Sequence, residues 1–178
     1  MTKKKLLLIE DDKDLCETTS NFLINSGFDC LMAFNGAEGI QKTFEHFPDL
    51  VLCDIAMPVI DGYEVYNILQ ESQVTATIPF IFITAKVEKE DVRLGMQMGV
   101  DDYITKPFDF NDLLISINKR LEKYSKIKKF QDDRLRTLFD NSPYMVFIYY
   151  DNYYIYANKN FLQQVGYSYD EIMNHPLS

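Results

Sequence analysis

The 178-residue sequence predicts an α/β fold, a parallel sheet covered by helices on both faces. Three observations lead to it. From residue 5 to about 125, short apolar runs alternate with amphipathic segments, as in strand–helix units joined by right-handed crossovers. The first, third and fourth runs are apolar throughout, as strands covered on both faces should be. The loops between the segments are short.

The elements follow in order. Leu6-Leu7-Leu8-Ile9 reads as a buried strand. Leu15 to Asn25 reads as a helix with Leu15, Thr19, Phe22 and Leu23 on one face and Gly27 past its end. Phe28 to Phe34 is a second strand, and Gly36 to His46 a helix with Ala37, Ile40 and Phe44 inward. Leu50 to Cys53 is a third strand ending in acid, followed by a helix over Gly62 to Glu71. Pro79 to Ile83 is a fourth strand, with a helix over Lys89 to Met98 stopping at Gly99. Asp102 to Ile104 is a short fifth strand, and a long last helix starts at Asn111.

The pattern changes after residue 120. Residues 120–136 contain no Gly or Pro and are rich in charge. Apolar residues recur at Leu114, Ile117, Leu121 and Tyr124 and again at Leu135 and Leu138, with Lys128 and Gln131 between. This spacing, near 3.5 residues, fits a helix paired with its twin as a coiled coil. It fits equally a single solvated connecting helix. Met145 to Tyr150 and Tyr153 to Tyr156 read as strands joined at a turn by Asp151-Asn152, followed by short helices over Phe161 to Val165 and Tyr169 to Met173. The predicted organisation is a sheet domain over 4–125, a helical linker over 120–136 continuous with its last helix, and part of an α+β unit over 137–178. Two strands alone do not make a stable sheet.

Composition narrows the function. The net charge of −9 argues against nucleic acid as a direct partner of this piece. Cys16, Cys30 and Cys53 are odd in number and form no CxxC pair, so they read as reduced filler. No apolar run reaches the roughly 18 residues of a membrane span. The run Leu6 to Ile9 is too short for a signal peptide, and acids follow it at once. A cytoplasmic protein without membrane contact is expected.

In a parallel sheet of this kind, ligands sit at the carboxyl ends of the strands. There the sequence places Glu10-Asp11-Asp12 after the first strand, Asp54 after the third, Thr84 after the fourth and Lys106-Pro107 after the fifth. Carboxylates brought together repel one another unless a cation lies among them, and hard oxygen donors favour Mg²⁺. With a lysine and a hydroxyl on the same rim, the parts for phosphoryl transfer are present. Each residue also has a plainer reading. Asp12 reads as a helix cap, Thr84 could cap the segment after it, Tyr103 taken singly is a core aromatic, and Asp61-Gly62 is a turn and helix start.

Four motifs in register carry a resemblance: Leu-Leu-Ile-Glu-Asp-Asp (7–12), Asp-Ile-Ala-Met-Pro-Val-Ile-Asp-Gly-Tyr-Glu (54–64), Ile-Thr-Ala-Lys (83–86) and Gly-Val-Asp-Asp-Tyr-Ile-Thr-Lys-Pro-Phe (99–108). Residues 4–125 resemble the receiver domain of two-component response regulators. The resemblance implies a flavodoxin-like, doubly wound sheet of five strand–helix units. It implies that Asp54 accepts a phosphoryl group from a sensor histidine kinase or a phosphotransfer protein. Glu10, Asp11, Asp54 and the main-chain carbonyl of Ala56 would hold Mg²⁺. Thr84 and Lys106 would contact the phosphoryl oxygens, and Thr84 with Tyr103 would form the conformational switch. A cis peptide before Pro107 is also implied.

Residues 135–178 resemble the opening of a PAS domain, through Leu-Arg-Thr-Leu-Phe-Asp-Asn-Ser-Pro (135–143), Met-Val-Phe-Ile-Tyr-Tyr-Asp (145–151), Ile-Tyr-Ala-Asn-Lys-Asn-Phe (155–161) and Val-Gly-Tyr-Ser-Tyr-Asp-Glu-Ile (165–172). The expected function is a phosphorylation-dependent switch whose change passes along the last helix to the PAS segment and to output regions beyond, with dimerisation through the linker and PAS segment. Such a domain is no enzyme beyond its own phosphorylation and dephosphorylation.

Two other functions fit parts of the pattern. An aspartate-nucleophile phosphatase typically needs a second acid two residues after the nucleophile, where Ala56 stands. A degenerate, unphosphorylated interaction module fits poorly with intact Glu10, Asp11, Asp54, Thr84 and Lys106. Ala56, with Lys86 two residues after Thr84, also predicts a long-lived acyl phosphate, because no amide or acid there orients an attacking water.

Overall fold

A computed structural model of the chain describes residues 3–85, 100–150 and 153–173. The helix expected over Lys89 to Met98, Lys86, and the turn at Asp151-Asn152 lie outside the described residues. The chain divides into two units, Met1–Tyr124 and Ser125–Ser178.

The first unit is built on β1 (Lys5–Ile9), β2 (Asp29–Ala33), β3 (Leu50–Asp54), β4 (Phe80–Thr84) and β5 (Asp102–Thr105), all parallel in the order β2-β1-β3-β4-β5. That is the flavodoxin-like order, which reverses direction between β1 and β3. Helices α1 (Lys13–Asn25), α2 (Gly36–His46) and α3 (Gly62–Glu71) alternate with the strands, and α4 runs from Phe110 to Asp140.

Alternating side chains of the buried strands feed two cores. Leu6, Leu8, Leu50, Leu52, Ile81 and Ile83 pack with Cys16 and Leu23 of α1 and Leu113 and Ile117 of α4. Leu7, Ile9, Val51, Cys53, Phe80 and Phe82 pack on the other face with Val65, Tyr66 and Leu69 of α3. β3 and β4 are buried at every residue, as their uninterrupted apolar runs predict.

Caps set the helix starts. Asp12 caps α1 by accepting from the Leu15 N–H at 3.1 Å. Asp61 caps α3 in a reciprocal box with Glu64. Gly27 (φ 99°) follows the end of α1 in the left-handed region.

The inward face of α2 differs from expectation. Gly36, Gly39 and Thr43 are its buried residues, with Ile40 half-buried, whereas Ala37 is exposed and Phe44 is 39% exposed. The reason is close approach. A Cβ at Gly39 would run into the Ile9 side chain, and one at Gly36 would lie 2.6 Å from the Ile60 carbonyl oxygen. In α1, likewise, Cys16 and Ser20 are buried beside Thr19 and Leu23, while Leu15 and Phe22 are half-buried.

Helix α4 is one uninterrupted helix of 31 residues. Its apolar spacing has two parts. Ile117 is buried in the first unit's core, with Leu114 and Leu121 packed against it, so this stretch of the seam faces its own domain. Ile127, Phe130, Leu135 and Leu138 further along are exposed.

Asp101, just before β5, and Asp102, its first residue, fasten α4. Asp101 Oδ2 accepts from the Tyr124 hydroxyl at 2.9 Å, and Lys123 Nζ lies 3.5 Å from Oδ1. Asp102 Oδ2 accepts from the Ser116 hydroxyl (2.5 Å) and Arg120 Nη2 (3.0 Å), and Oδ1 from the Tyr103 N–H (3.0 Å). Burial alone would raise the Asp102 pKa, but Ser116, Arg120 and the Tyr103 N–H outweigh it and hold it below the usual carboxylate value. A lowered folded pKa stabilises above the unfolded value, and the gain is lost as pH falls through the folded one. Asp102→Asn is therefore expected to cost about 1–2 kcal/mol at pH 7, with the difference from wild type shrinking below about pH 4. Urea unfolding at pH 7 and pH 3 checks this, and an equal cost at both would contradict it.

In the second unit, β6 (Phe147–Tyr150) and β7 (Tyr153–Ala157) form an antiparallel pair with an irregularity at Ile148/Tyr149. Helices α5 (Lys159–Val165) and α6 (Tyr169–Met173) follow. Ala157, Phe161 and Ile172 make a small core, joined by Tyr154, Leu162 and Met173.

Candidate functional site

The rim at the carboxyl ends of β1, β3, β4 and β5 collects the chemistry. Main-chain bonds set it: Glu10 N–H donates to the Ala33 carbonyl (3.0 Å), Ile55 N–H to that of Ile83 (3.0 Å), and Lys106 N–H to that of Thr84 (2.7 Å). Each strand thus delivers its terminal residue to the same height. The Lys106–Pro107 peptide is cis.

Three carboxylates meet beside the β1/β3 reversal. One oxygen each of Glu10, Asp11 and Asp54 lies within 4.8 Å of the others. Glu10 is 1% and Asp54 4% exposed, whereas Asp11 is exposed. Lys106 Nζ lies 2.6 Å from Glu10 Oε2 and 2.8 Å from Asp54 Oδ2. Burial pushes the Glu10 carboxyl up to about 7; the bond from Lys106 opposes this and the Asp54 charge adds to it. Burial works against the Lys106 charge, but Asp54 and Glu10 overcome it and raise its pKa. Once Glu10 is ionised, above about pH 7, the two buried carboxylates held by one ammonium ion leave an excess of negative charge, which a second cation would relieve. Hard carboxylate oxygens suit Mg²⁺ for that role.

The turn after β3 shapes the Asp54 side. The Ala56 N–H donates to Asp54 Oδ1 at 3.3 Å, and the Gly62 N–H returns to the Ile55 carbonyl at 3.0 Å. Cys53 donates its thiol to the Asp54 carbonyl at 3.2 Å. At the tip, Val59 is 98% exposed with φ 71°, a left-handed conformation that a β-branched residue rarely adopts. No sequence signal marks it.

Of the residues singled out in the sequence, Glu10, Asp11, Asp54 and Lys106 come together, with the Ala56 main chain beside Asp54. Thr84 is buried at the end of β4, opposite Thr105. Tyr103 pairs across β4 with Phe82, and its half-buried ring packs on the Phe82 ring at 5.4 Å. The Asp101 and Asp102 contacts to α4 were not read from the sequence. Their trace is the spacing of Ser116, Arg120 and Tyr124, four residues apart and hence on one helix face.

Comparison with known proteins agrees with this geometry. Residues 6–118 match the response regulator receiver domain family, and residues 133–177 match the PAS domain family. The transcriptional regulatory protein YclJ of Bacillus subtilis is 36% identical over 125 residues, 70% of this chain and 54% of its own length. The transcriptional regulatory protein DltR of Streptococcus agalactiae is 36% identical over 124 residues, with the same coverage of both chains. A CheY-like response regulator receiver domain protein from Methanospirillum hungatei superposes with a TM-score of 0.66 at 27% identity, over 70% of this chain and 98% of its own. The chain spans about half the length of the curated relatives it matches. Through its parallel sheet and acidic rim over residues 6–118, the chain belongs to the response regulator receiver domain family.

Proposed function

We propose that this chain is the phosphorylated input of a two-component signalling protein, with Asp54 as the acceptor. The observation that carries the reading is Lys106 Nζ spanning Glu10 and Asp54 beside Asp11. A carboxylate oxygen of Asp54 attacks the phosphorus of a phosphohistidine on a sensor histidine kinase or phosphotransfer protein. The O–P bond forms, the P–N bond breaks, and imidazole leaves with its electron pair. Lys106 offers its charge, and Thr84 its hydroxyl, to the phosphoryl oxygens. Glu10, Asp11, Asp54 and the Ala56 carbonyl would hold Mg²⁺, which when bound supplies positive charge against those oxygens.

Phosphorylation then shifts the population of Thr84 and Tyr103 conformers, and the change passes through β5 into α4. The chain acts as a regulator and catalyses only its own phosphorylation and dephosphorylation. It works in the cytoplasm; among the described residues no helix is long and apolar enough to cross a membrane. It forms a homodimer through the linker helix and the PAS-type segment, where Ile127, Phe130, Leu135 and Leu138 are exposed. The net charge of −9 disfavours direct contact of this chain with nucleic acid.

Acetyl phosphate with Mg²⁺ is expected to add one phosphoryl group by mass spectrometry, and Asp54→Ala to abolish the addition. Continuous phosphate release by the wild type would favour a phosphatase instead, and no adduct an unphosphorylated module. The lifetime of the adduct is set in part by Ala56, which presents no polar side chain to an attacking water. Ala56→Asn is expected to speed phosphate loss about tenfold. A rate left unchanged by that substitution would exclude this role for position 56.

A further inference from the structure

We propose that Asn158 is the joint residue that binds the end of helix α4 to the hairpin and helices of the PAS-type segment, so that they fold and move as one body. Asn158 is wholly buried, at the junction of β7 and α5. Its Oδ1 accepts from the Val146 N–H and the Phe161 N–H, each at 3.0 Å. Its Nδ2 donates to the Phe139 carbonyl and the Tyr144 carbonyl, each at 2.9 Å. Both donor hydrogens and both acceptor lone pairs are used. Two N–H groups face one end of the amide and two carbonyls the other, so only one orientation satisfies all four.

These bonds tie the last turn of α4, the connection at Tyr144, the start of β6 and the start of α5 to one side chain. Two further contacts cross the same junction. The Tyr156 hydroxyl donates to Asp140 Oδ1 at 2.8 Å, and the Phe139 and Tyr156 rings lie 5.7 Å apart. Among the described residues the apolar core of the segment is small, with Ala157, Phe161 and Ile172 as its buried members. A two-stranded hairpin is marginal alone, so a polar joint that ties it to α4 and α5 helps it keep its shape. Residues 125–138 of α4 are exposed throughout. The joint is therefore where a movement of this helix enters the segment. The transmission part of this inference rests on the relay proposed above; the joint itself does not.

Asn158→Asp separates the two halves of the amide's work. An aspartate keeps the oxygen that accepts from Val146 and Phe161, but loses both donated bonds and turns a second oxygen toward two carbonyls. In the full 178-residue chain without phosphoryl donor, amide hydrogen exchange over 144–161 is expected to quicken about ten- to a hundredfold, with β1, β3 and β4 unchanged. Unchanged protection over 144–161 overturns the joint. Tyr156→Phe loosens the junction without disturbing Asn158 and is expected to give a smaller acceleration in a folded segment. With Mg²⁺ and beryllofluoride, the wild type is expected to change protection on both sides of Asp140, and Asn158→Asp only before it. A change that reaches 144–161 equally in wild type, Tyr156→Phe and Asn158→Asp overturns Asn158 as the coupling residue. No wild-type change beyond Tyr124, together with fast exchange in Asn158→Asp, overturns the relay and leaves the joint standing.

Discussion

Lys106→Met is expected to lower the stability of the metal-free protein by about 2–4 kcal/mol at pH 8 and to slow phosphorylation at least tenfold. The two effects have one origin. The ammonium ion touches two carboxylates that are almost wholly buried, Glu10 and Asp54. Methionine fills similar space but leaves both without a cation. Breaking such a pair from one side costs more than the pair contributes, because the remaining charges keep their desolvation penalty. The Lys106 side chain is 18% exposed, so the cost is placed below that of a fully buried pair.

The sign with pH follows from Lys106 itself. Its folded pKa is raised, so its contribution is complete below the unfolded lysine value and is lost only as pH climbs through the folded one. At pH 8 the wild-type pair is intact and the full difference is visible. Urea unfolding followed by circular dichroism in a chelating buffer measures it. Millimolar Mg²⁺ is expected to recover part of the loss in the variant, because a divalent cation takes over the charge that lysine supplied. A variant as stable as wild type in chelator, and indifferent to Mg²⁺, would mean that the two carboxylates share a proton instead of needing a cation.

The rim was legible because each strand ends where its apolar run ends. Leu6 to Ile9, Leu50 to Cys53 and Pro79 to Ile83 each stop at a residue with chemistry, and a parallel sheet brings such ends together. The inward face of α2 was not legible, because hydrophobic periodicity favours Ala37 and Phe44 over glycine. Packing selected Gly36 and Gly39 for the space they leave to Ile60 and Ile9. The clamp on α4 was hidden for another reason. Asp102 read as the opening of a strand, and the partners of Asp101 and Asp102 lie 14 to 23 residues further on. Asn158 stood in the sequence only as part of a family pattern. Its four bonds depend on main-chain groups at positions 139, 144, 146 and 161, which carry no side-chain signature.

Gly62→Ala is expected to disturb Asp54 through the main chain and not through charge. A Cβ at this position would run into the Asp54 carbonyl oxygen and lie 2.9 Å from Ile55 Cα. Both are backbone atoms and cannot rotate away, so the turn from Asp54 to Gly62 must open by a few tenths of an ångström. Overpacking of this kind costs about 1–3 kcal/mol, offset by at most about 1 kcal/mol from alanine's better helix propensity. The larger consequence is for chemistry. The same turn holds the Ala56 N–H on Asp54 Oδ1, and small displacements of a reacting group lower rates steeply. Phosphorylation by acetyl phosphate is expected to slow about tenfold. Asp61→Ala supplies the comparison, since it removes the α3 cap at a similar cost of about 1 kcal/mol while placing no atom against Asp54. If the two variants slow phosphorylation equally, Gly62 matters only for seating α3. If Gly62→Ala alone does so at matched stability, the missing side chain at position 62 is what lets the Asp54 carboxylate stand where Lys106 reaches it.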